Sequence, residues 1–339
     1  MKKILMISRL FVAAFFLTTF FACDDNAATP IVQSKTIVQT AQSDANLSIL
    51  VQALTRANLV AEVNVAGPIT VFAPTNAAFT AFLQANGFAN IDAVPVDVLR
   101  NILLNHVVVG LVRSTDLPTA GYFRSLANFG TTQSKISNYV AKTTIGSTTT
   151  VQINGPAGNG GATVTAPDVV SSNGIVHVVN AVINLPTIVN HAVANPNLST
   201  LVAVLTSTAA PFGNQYAVLS VVAGATPAVP FTVFAPINAA FAAAVAPGGF
   251  ANGATAAQVS TILRYHVVAG ANVLAATLTN NQVVTTATSP AQTFTITTTI
   301  GAKITDKSNP AVQSAIIATD IQASNGVLHV VDKVLQPTL

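Results

Sequence analysis

Charge is what this sequence has least of. Of its 339 residues, 14 are basic and 11 acidic. Together they make 7 % of the chain, where an ordinary soluble domain carries about a quarter. Tryptophan is absent, cysteine occurs once and glutamate once, at Glu62. Each scarcity removes a class of protein. One cysteine excludes a disulfide scaffold, and the lack of charge and of a Gly period excludes coiled coil and collagen. No cluster of Lys and Arg exists to neutralise phosphates, so a nucleic-acid surface is excluded. Disorder needs low hydrophobicity with high charge, whereas 51 % of this chain is hydrophobic. What is abundant is Ala, Val and Thr, a composition of small, β-prone side chains.

The basic residues are unevenly placed. Lys2, Lys3 and Arg9 precede any acid, and beyond residue 22 the chain holds 11 basic and 11 acidic side chains. The isoelectric point near 9.1 therefore belongs to the N-terminus. Leu10 to Ala22 is an apolar run of 13 residues, too short for the roughly 20 that span a bilayer and suited to a signal-peptide core. Residues 1–22 are expected to be a signal peptide ending at Cys23. Ala22 before the lone cysteine resembles a lipobox, in which the thiol is acylated; Phe20 and Phe21 are bulkier than that motif usually carries. Residues 23–34 then form a lipid-anchored linker. Asp24 and Asp25 resemble a surface-export signal of one group of bacterial lipoproteins, and in another group an acid there resembles a retention signal. Export, outer-membrane anchoring and exposure at the cell surface are the expected location.

Internal similarity is the strongest signal. Thr36-Ile37-Val38 and the Asn46-Leu47-Ser48 segment recur at Thr187-Ile188-Val189 and Asn197-Leu198-Ser199, offset by 151. The segment Thr70 to Phe79 recurs at Thr232 to Phe241, His106-Val107-Val108 at His266-Val267-Val268, and Asn173 to Val179 at Asn325 to Val331. The offset rises to 162 and returns to 152, which places an extra loop in the second copy around Pro211 to Pro230. Each copy is a whole domain: residues 35–185 and 186–339, with the junction near Pro186.

Within a copy the pattern is mixed. Asn46 is expected to cap a helix carrying Leu47, Leu50, Val51 and Leu54; Thr70 to Ala73 is a short strand; Asn76 is expected to cap a second helix. Val98, Leu99, Ile102, Leu103 and His106 mark a third helical face, followed by a strand Val107 to Val109. From about Lys135 the chain turns to Thr/Val/Ile-rich strands, including Thr148 to Ile153, Ala162 to Thr165 and Ile175 to Ile183. Gly155 to Gly161 reads as a hairpin loop. Helices first and strands later predict an α+β domain.

These motifs resemble those of the fasciclin domain: TVFAPTNAAF with HVV-x-G and NGIVHVVNAVI in the first copy, and TVFAPINAAF, RYHVVAG and NGVLHVVDKVL in the second. The resemblance implies two tandem domains, each a β-sheet wedge flanked by helices, and a role in adhesion or matrix contact. It also singles out Tyr265 and His266, similar to a Tyr-His pair that animal members use in adhesion; the first copy has Asn105-His106 there. Packing in the core is the competing reading for that pair.

The remaining motif residues read as structural. His177 and His329 lie in strands apolar on both faces, which predicts buried, neutral imidazoles tied to the Thr-Val-Phe-Ala-Pro segment. His106 and His266 end helices, where the negative terminus favours an imidazole donor. Asn76 and Asn238 read as helix caps. Asp332 stands where the first copy has Asn180, so an ionised carboxylate is not obligatory there. Asp168 and Asp320 are the acids found at matching places in both copies. No thiol nucleophile, G-x-S-x-G elbow, H-E-x-x-H helix or consistent carboxylate pair occurs, so neither catalysis nor a metal or cofactor is expected. The expected function is non-catalytic adhesion to cells, matrix or polysaccharide. Competing readings are an envelope lipoprotein that binds a small apolar ligand or glycan, and a periplasmic spacer.

Overall fold

The computed structural model describes residues 35–64, 67–206, 230–249, 251–308 and 313–339. The expected signal peptide, Cys23, the linker and nearly all of the loop expected between Pro211 and Pro230 lie outside the described residues. Residues 35–339 form one compact unit.

Each copy opens with helices and closes with strands. The first copy has α1 (Ile37–Gln42), α2 (Ser48–Arg56), α3 (Val60–Val63), β1 (Ile69–Pro74), α4 (Asn76–Ala85), α5 (Val96–Asn105) and β2 (Val107–Val109). It ends with β3 (Ala120–Asn128), β4 (Lys135–Ile145), β5 (Thr148–Ile153), β6 (Ala162–Ser171) and β7 (Gly174–Val179). The second copy repeats the plan with α6 (Ile188–Ala194), α7 (Ser199–Thr206), β8 (Phe231–Pro236), α8 (Asn238–Val245), α9 (Ala256–Tyr265) and β9 (Val267–Ala269). Its later strands are β10 (Gln282–Thr285), β11 (Thr293–Thr297), β12 (Lys303–Thr305), β13 (Ser314–Ala323) and β14 (Gly326–Val331). Among the described residues no helix is long and apolar enough to cross a membrane.

Each copy has a seven-stranded sheet, in the order β2-β1-β7-β6-β5-β4-β3 and β10-β11-β12-β13-β14-β8-β9. The repeated motifs form its centre. β1 pairs in parallel with β7, Phe72 opposite His177, and β8 pairs with β14, Phe234 opposite His329. Strand alternation then divides the motif between two cores. Val71 and Ala73 face the helices with Phe79, Leu99 and Leu103. Phe72 points the other way, toward Val140, Val151 and Ile153.

That second contact shows the sheet curling on itself. β1 and β3 stand five places apart, about 24 Å in a flat sheet at usual spacing. Yet the Phe72 and Phe123 rings are 5.7 Å apart. The bend is built by register shifts between β6 and β7 and by Asp168, whose φ of 60° lies in the left-handed region. Asp320, at φ 57°, does the same in β13.

Candidate functional site

The motif residues of each copy converge on one loop, the segment that leaves β2 or β9. Thr70, fully buried in β1, donates Oγ1–H to Gly110 O at 2.8 Å and accepts the Val112 N–H at 2.8 Å. His177 Nε2–H meets Val112 O at 2.9 Å, while its Nδ1 accepts the Asp168 N–H at 3.1 Å. The Asp168 carboxylate accepts the Ser114 N–H at 2.8 Å and bonds the Ser114 hydroxyl. Burial alone would raise the Asp168 pKa; the Ser114 hydroxyl and amide outweigh it and hold the carboxyl below its usual range.

The second copy repeats the arrangement. Thr232 bonds Ala271 O and the Val273 N–H, His329 Nε2 meets Val273 O at 2.8 Å, and Asp320 accepts the Ala275 N–H at 2.7 Å. Burial lowers the His329 pKa. The histidine rings stack on Phe72 and Phe234 at 5.4 and 5.3 Å. The histidines therefore touch the Thr-Val-Phe-Ala-Pro strand through ring stacking, and their hydrogen bonds run to the neighbouring loop and bulge. The hydrogen bonds of this cluster close on the loop and the bulge themselves, so it is a fastening.

His106 and His266 close the helices that precede β2 and β9. Nδ1–H of each donates to the carbonyl four residues back, Ile102 O at 2.8 Å and Ile262 O at 2.7 Å. Nε2 accepts the Ile183 N–H at 2.9 Å or the Leu335 N–H at 2.8 Å. Burial pulls both imidazoles down to about 4, so they are neutral at physiological pH.

Tyr265 and His266 do not form a surface. Tyr265 is 0 % exposed, its ring lies against Phe294, and its hydroxyl donates to Thr293 O at 2.8 Å. The same position in the first copy is Asn105, also buried and held in a network with Ser125, Asn138 and Asn154. The expected adhesion pair is core in this structure, and a contact through it has no exposed atom to act from.

Asn76 and Asn238 are not the caps of their helices. Thr75 caps α4, accepting the Ala78 N–H, and Ile237 occupies that place in α8 with no side-chain bond. The asparagines instead reach sideways. Asn76 accepts the Ile49 N–H and donates to Ala45 O and Ser48 Oγ, while Asn238 makes the matching bonds to Thr200, Pro196 and Ser199. Each asparagine fixes the start of α2 or α7 to its own helix, α4 or α8. Asn46 likewise is no cap: it sits in a short 3-10 turn capped by Asp44.

Asn180 and Asp332 share one task, accepting a backbone N–H from the adjacent strand, from Thr163 or Ala315. A side-chain oxygen is all that this requires, which explains the Asn/Asp interchange.

Three features escaped the sequence reading. His191, the fifth histidine, has no counterpart in the first copy, where Thr40 bonds Ser171. It is fully buried at the junction of the two copies, edge-on to Tyr122 of β3 at 5.5 Å. Burial lowers its pKa to about 4; the Gln322 backbone opposes this weakly, and neither ring nitrogen has a hydrogen bond of normal geometry.

The junction itself is the second. Tyr122 packs against the second copy's core and accepts from Asn195 Nδ2, and the Gln322 N–H donates to Ser137 Oγ at 3.0 Å. This explains why Ile136 to Val140 are buried on both faces of β4. No periodicity could announce it, because the covering surface lies elsewhere in the chain.

The third is a repeated tetrapeptide. Thr143-Thr144-Ile145-Gly146 and Thr298-Thr299-Ile300-Gly301 stand at the tips of the β4–β5 and β11–β12 hairpins, offset by 155. Gly146 and Gly301 take positive φ to make the turns, and Ile145 and Ile300 are 78 % and 80 % exposed. The repeat is legible in the sequence, since its offset of 155 falls between those of the larger motifs.

Among the described residues no group of three or more His, Cys, Asp or Glu is placed to hold a metal.

Comparison with known proteins places this geometry. A family model described as the fasciclin domain matches residues 45–186 and 196–337. An uncharacterized protein of Synechocystis, sll1735, is 35 % identical over 147 residues, 43 % of this chain and 96 % of that protein. A second Synechocystis protein, sll1483, is 34 % identical over 151 residues, 44 % of this chain and 74 % of that one. The solved FAS1 domain pair of the insect cell adhesion molecule Fasciclin I aligns with a TM-score of 0.52 at 17 % identity, covering 84 % of this chain and 95 % of that chain. Its likeness concerns the fold. Two family matches spanning both seven-stranded sheets make the chain a member of the fasciclin domain family, with two domains in tandem.

Proposed function

We propose that this protein is a non-catalytic adhesion module, carried on the cell surface by a lipid on Cys23, that binds cells, matrix or polysaccharide with both domains. Fasciclin domains are generally non-catalytic, and the solved neighbour is a cell adhesion molecule. The observation that carries the reading is the pair of Thr-Thr-Ile-Gly hairpin tips. A single exposed aliphatic side chain is ordinary; here the same one, at about 80 % exposure, stands at the matching hairpin tip of both domains. Flanking threonines supply hydroxyls for hydrogen bonds to a polar ligand. Two weak contacts on one chain gain avidity through effective concentration. The low charge suits recognition by contact rather than by electrostatic steering.

The test is attachment of beads coated with the full chain to cells and to polysaccharide films. Replacing Ile145→Ser or Ile300→Ser should weaken attachment, and the double variant should reduce it by about tenfold or more, since linked contacts multiply. Both sites are exposed, so Tm should hold. Undiminished attachment by the double variant would sink the hairpin reading.

A further inference from the structure

The two domains share a fold but fill one part of it differently. In the first, the space between α2, α4 and α5 is closed by Phe82, Leu83, Ile91, Val94 and Leu99, each less than a tenth exposed. The second domain has Ala244, Val245 and Val259 where the first has Phe82, Leu83 and Leu99. The connections that follow, 86–95 and 246–255, are equally long, and Ala251 and Ala254, joined by the same N–H to carbonyl bond, stand in the place of Ile91 and Val94. Each of these differences removes side-chain volume, offset in part by Val204 of α7, which stands where the first domain has Ala53. The result is a cavity of about 480 Å³ between α7, α8 and α9, walled by Val204, Phe241, Ala244, Val259, Ile262 and Leu263.

We propose that this cavity is a binding site, specific to the second domain, for an uncharged hydrocarbon molecule such as a single acyl or isoprenoid chain. Its volume falls within the usual range of small-ligand pockets. No Lys, Arg, His, Asp or Glu lines it. The polar side chains at its edge are two: the Thr200 hydroxyl, and Asn238, which already spends its amide on Thr200, Pro196 and Ser199. Water would find few partners there, and an empty apolar space of this size forfeits dispersion contacts along its whole wall. An apolar occupant resolves both. The site is independent of the hairpin tips and goes beyond adhesion.

The experiment is a fluorescence titration of the full chain with N-phenyl-1-naphthylamine, an uncharged apolar probe that brightens on leaving water. Saturable binding of one probe per chain is expected. Ala244→Phe, which installs the first domain's residue, should weaken it at least tenfold without lowering Tm. Should that variant fail to fold, Val259→Leu, which adds one methylene at the matching position of Leu99, should weaken binding several-fold. Absence of saturable binding, as when the chain's own residues occupy the space, would overturn the proposal. Equal affinity in the wild type and the folded variants would overturn it too, by placing the probe elsewhere.

Discussion

All five histidines of this protein are buried, and none of them meets an acidic side chain by hydrogen bond or ion pair among the described residues. His106, His191 and His266 are held neutral by burial, with pKa near 4 against an ordinary value of 6.5. The sign of the consequence follows from proton counting. Between pH 6.5 and 4 the unfolded chain binds protons at these rings and the folded chain does not, so acid favours unfolding. The contribution is fully present above pH 6.5, declines as pH falls toward 4 and is constant below it. Each ring can account for up to about 3 kcal/mol over that interval. Urea unfolding at constant salt should show the midpoint falling steadily from pH 7 to pH 4. A flat midpoint would contradict the burial of these imidazoles. Asp168 acts in a separate window: its lowered pKa stabilises the fold above the ordinary carboxylate value and is lost only at lower pH.

At the scale of elements, the parallel pair β1–β7 sets the tightest constraint. A Cβ on Gly174 would lie 1.9 Å from Ile69 O, and one on Gly326 2.0 Å from Phe231 O. These glycines therefore do more than make the Asn-Gly turns that the sequence suggests; they admit the neighbouring strand. Gly174→Ala should destabilise the first domain by roughly 3 kcal/mol or more, because backbone must shift to relieve the overlap. A thermal melt would show it, and a Tm within a degree of wild type would refute the close approach. Much of the element order was legible beforehand. Ile-, Val- and Thr-rich runs located β1, β2, β4, β5 and the start of β6, and helical spacing located α2, α4 and α5. What was hidden has physical causes. β3 (Ala120–Asn128) mixes Arg124, Ser125 and Asn128 into its run, because Ser125 serves the buried network around Asn105. Asn76 and Asn46 misled because Asn is a good cap in isolation, while here Thr75 and Asp44 hold those places. Tyr265 could not be separated from a surface residue by spacing alone, since its partner Phe294 is 29 positions away.

For the whole molecule, the junction decides whether the two domains behave as one body. Tyr122 gives its ring to the second domain's core and its hydroxyl to Asn195, and it covers His191. Tyr122→Ala should cost about 2–4 kcal/mol, chiefly at the junction, and leave both domains folded. Calorimetry should then resolve two unfolding transitions where the wild type shows one. A single transition in both proteins would mean that the other junction contacts suffice. The pairing of Ile69 with Gly174 also fixes an order of events at the ribosome. The all-buried strand β1 finishes synthesis about a hundred residues before its partner β7 exists. At usual elongation rates that is an interval of about 5–20 s. Throughout it, the nascent chain holds an apolar strand with a free hydrogen-bonding edge, and long-range closure cannot begin. Until β7 emerges the first domain stays unfinished on the ribosome, and in that interval it is threadable by any translocation channel that takes unfolded chains.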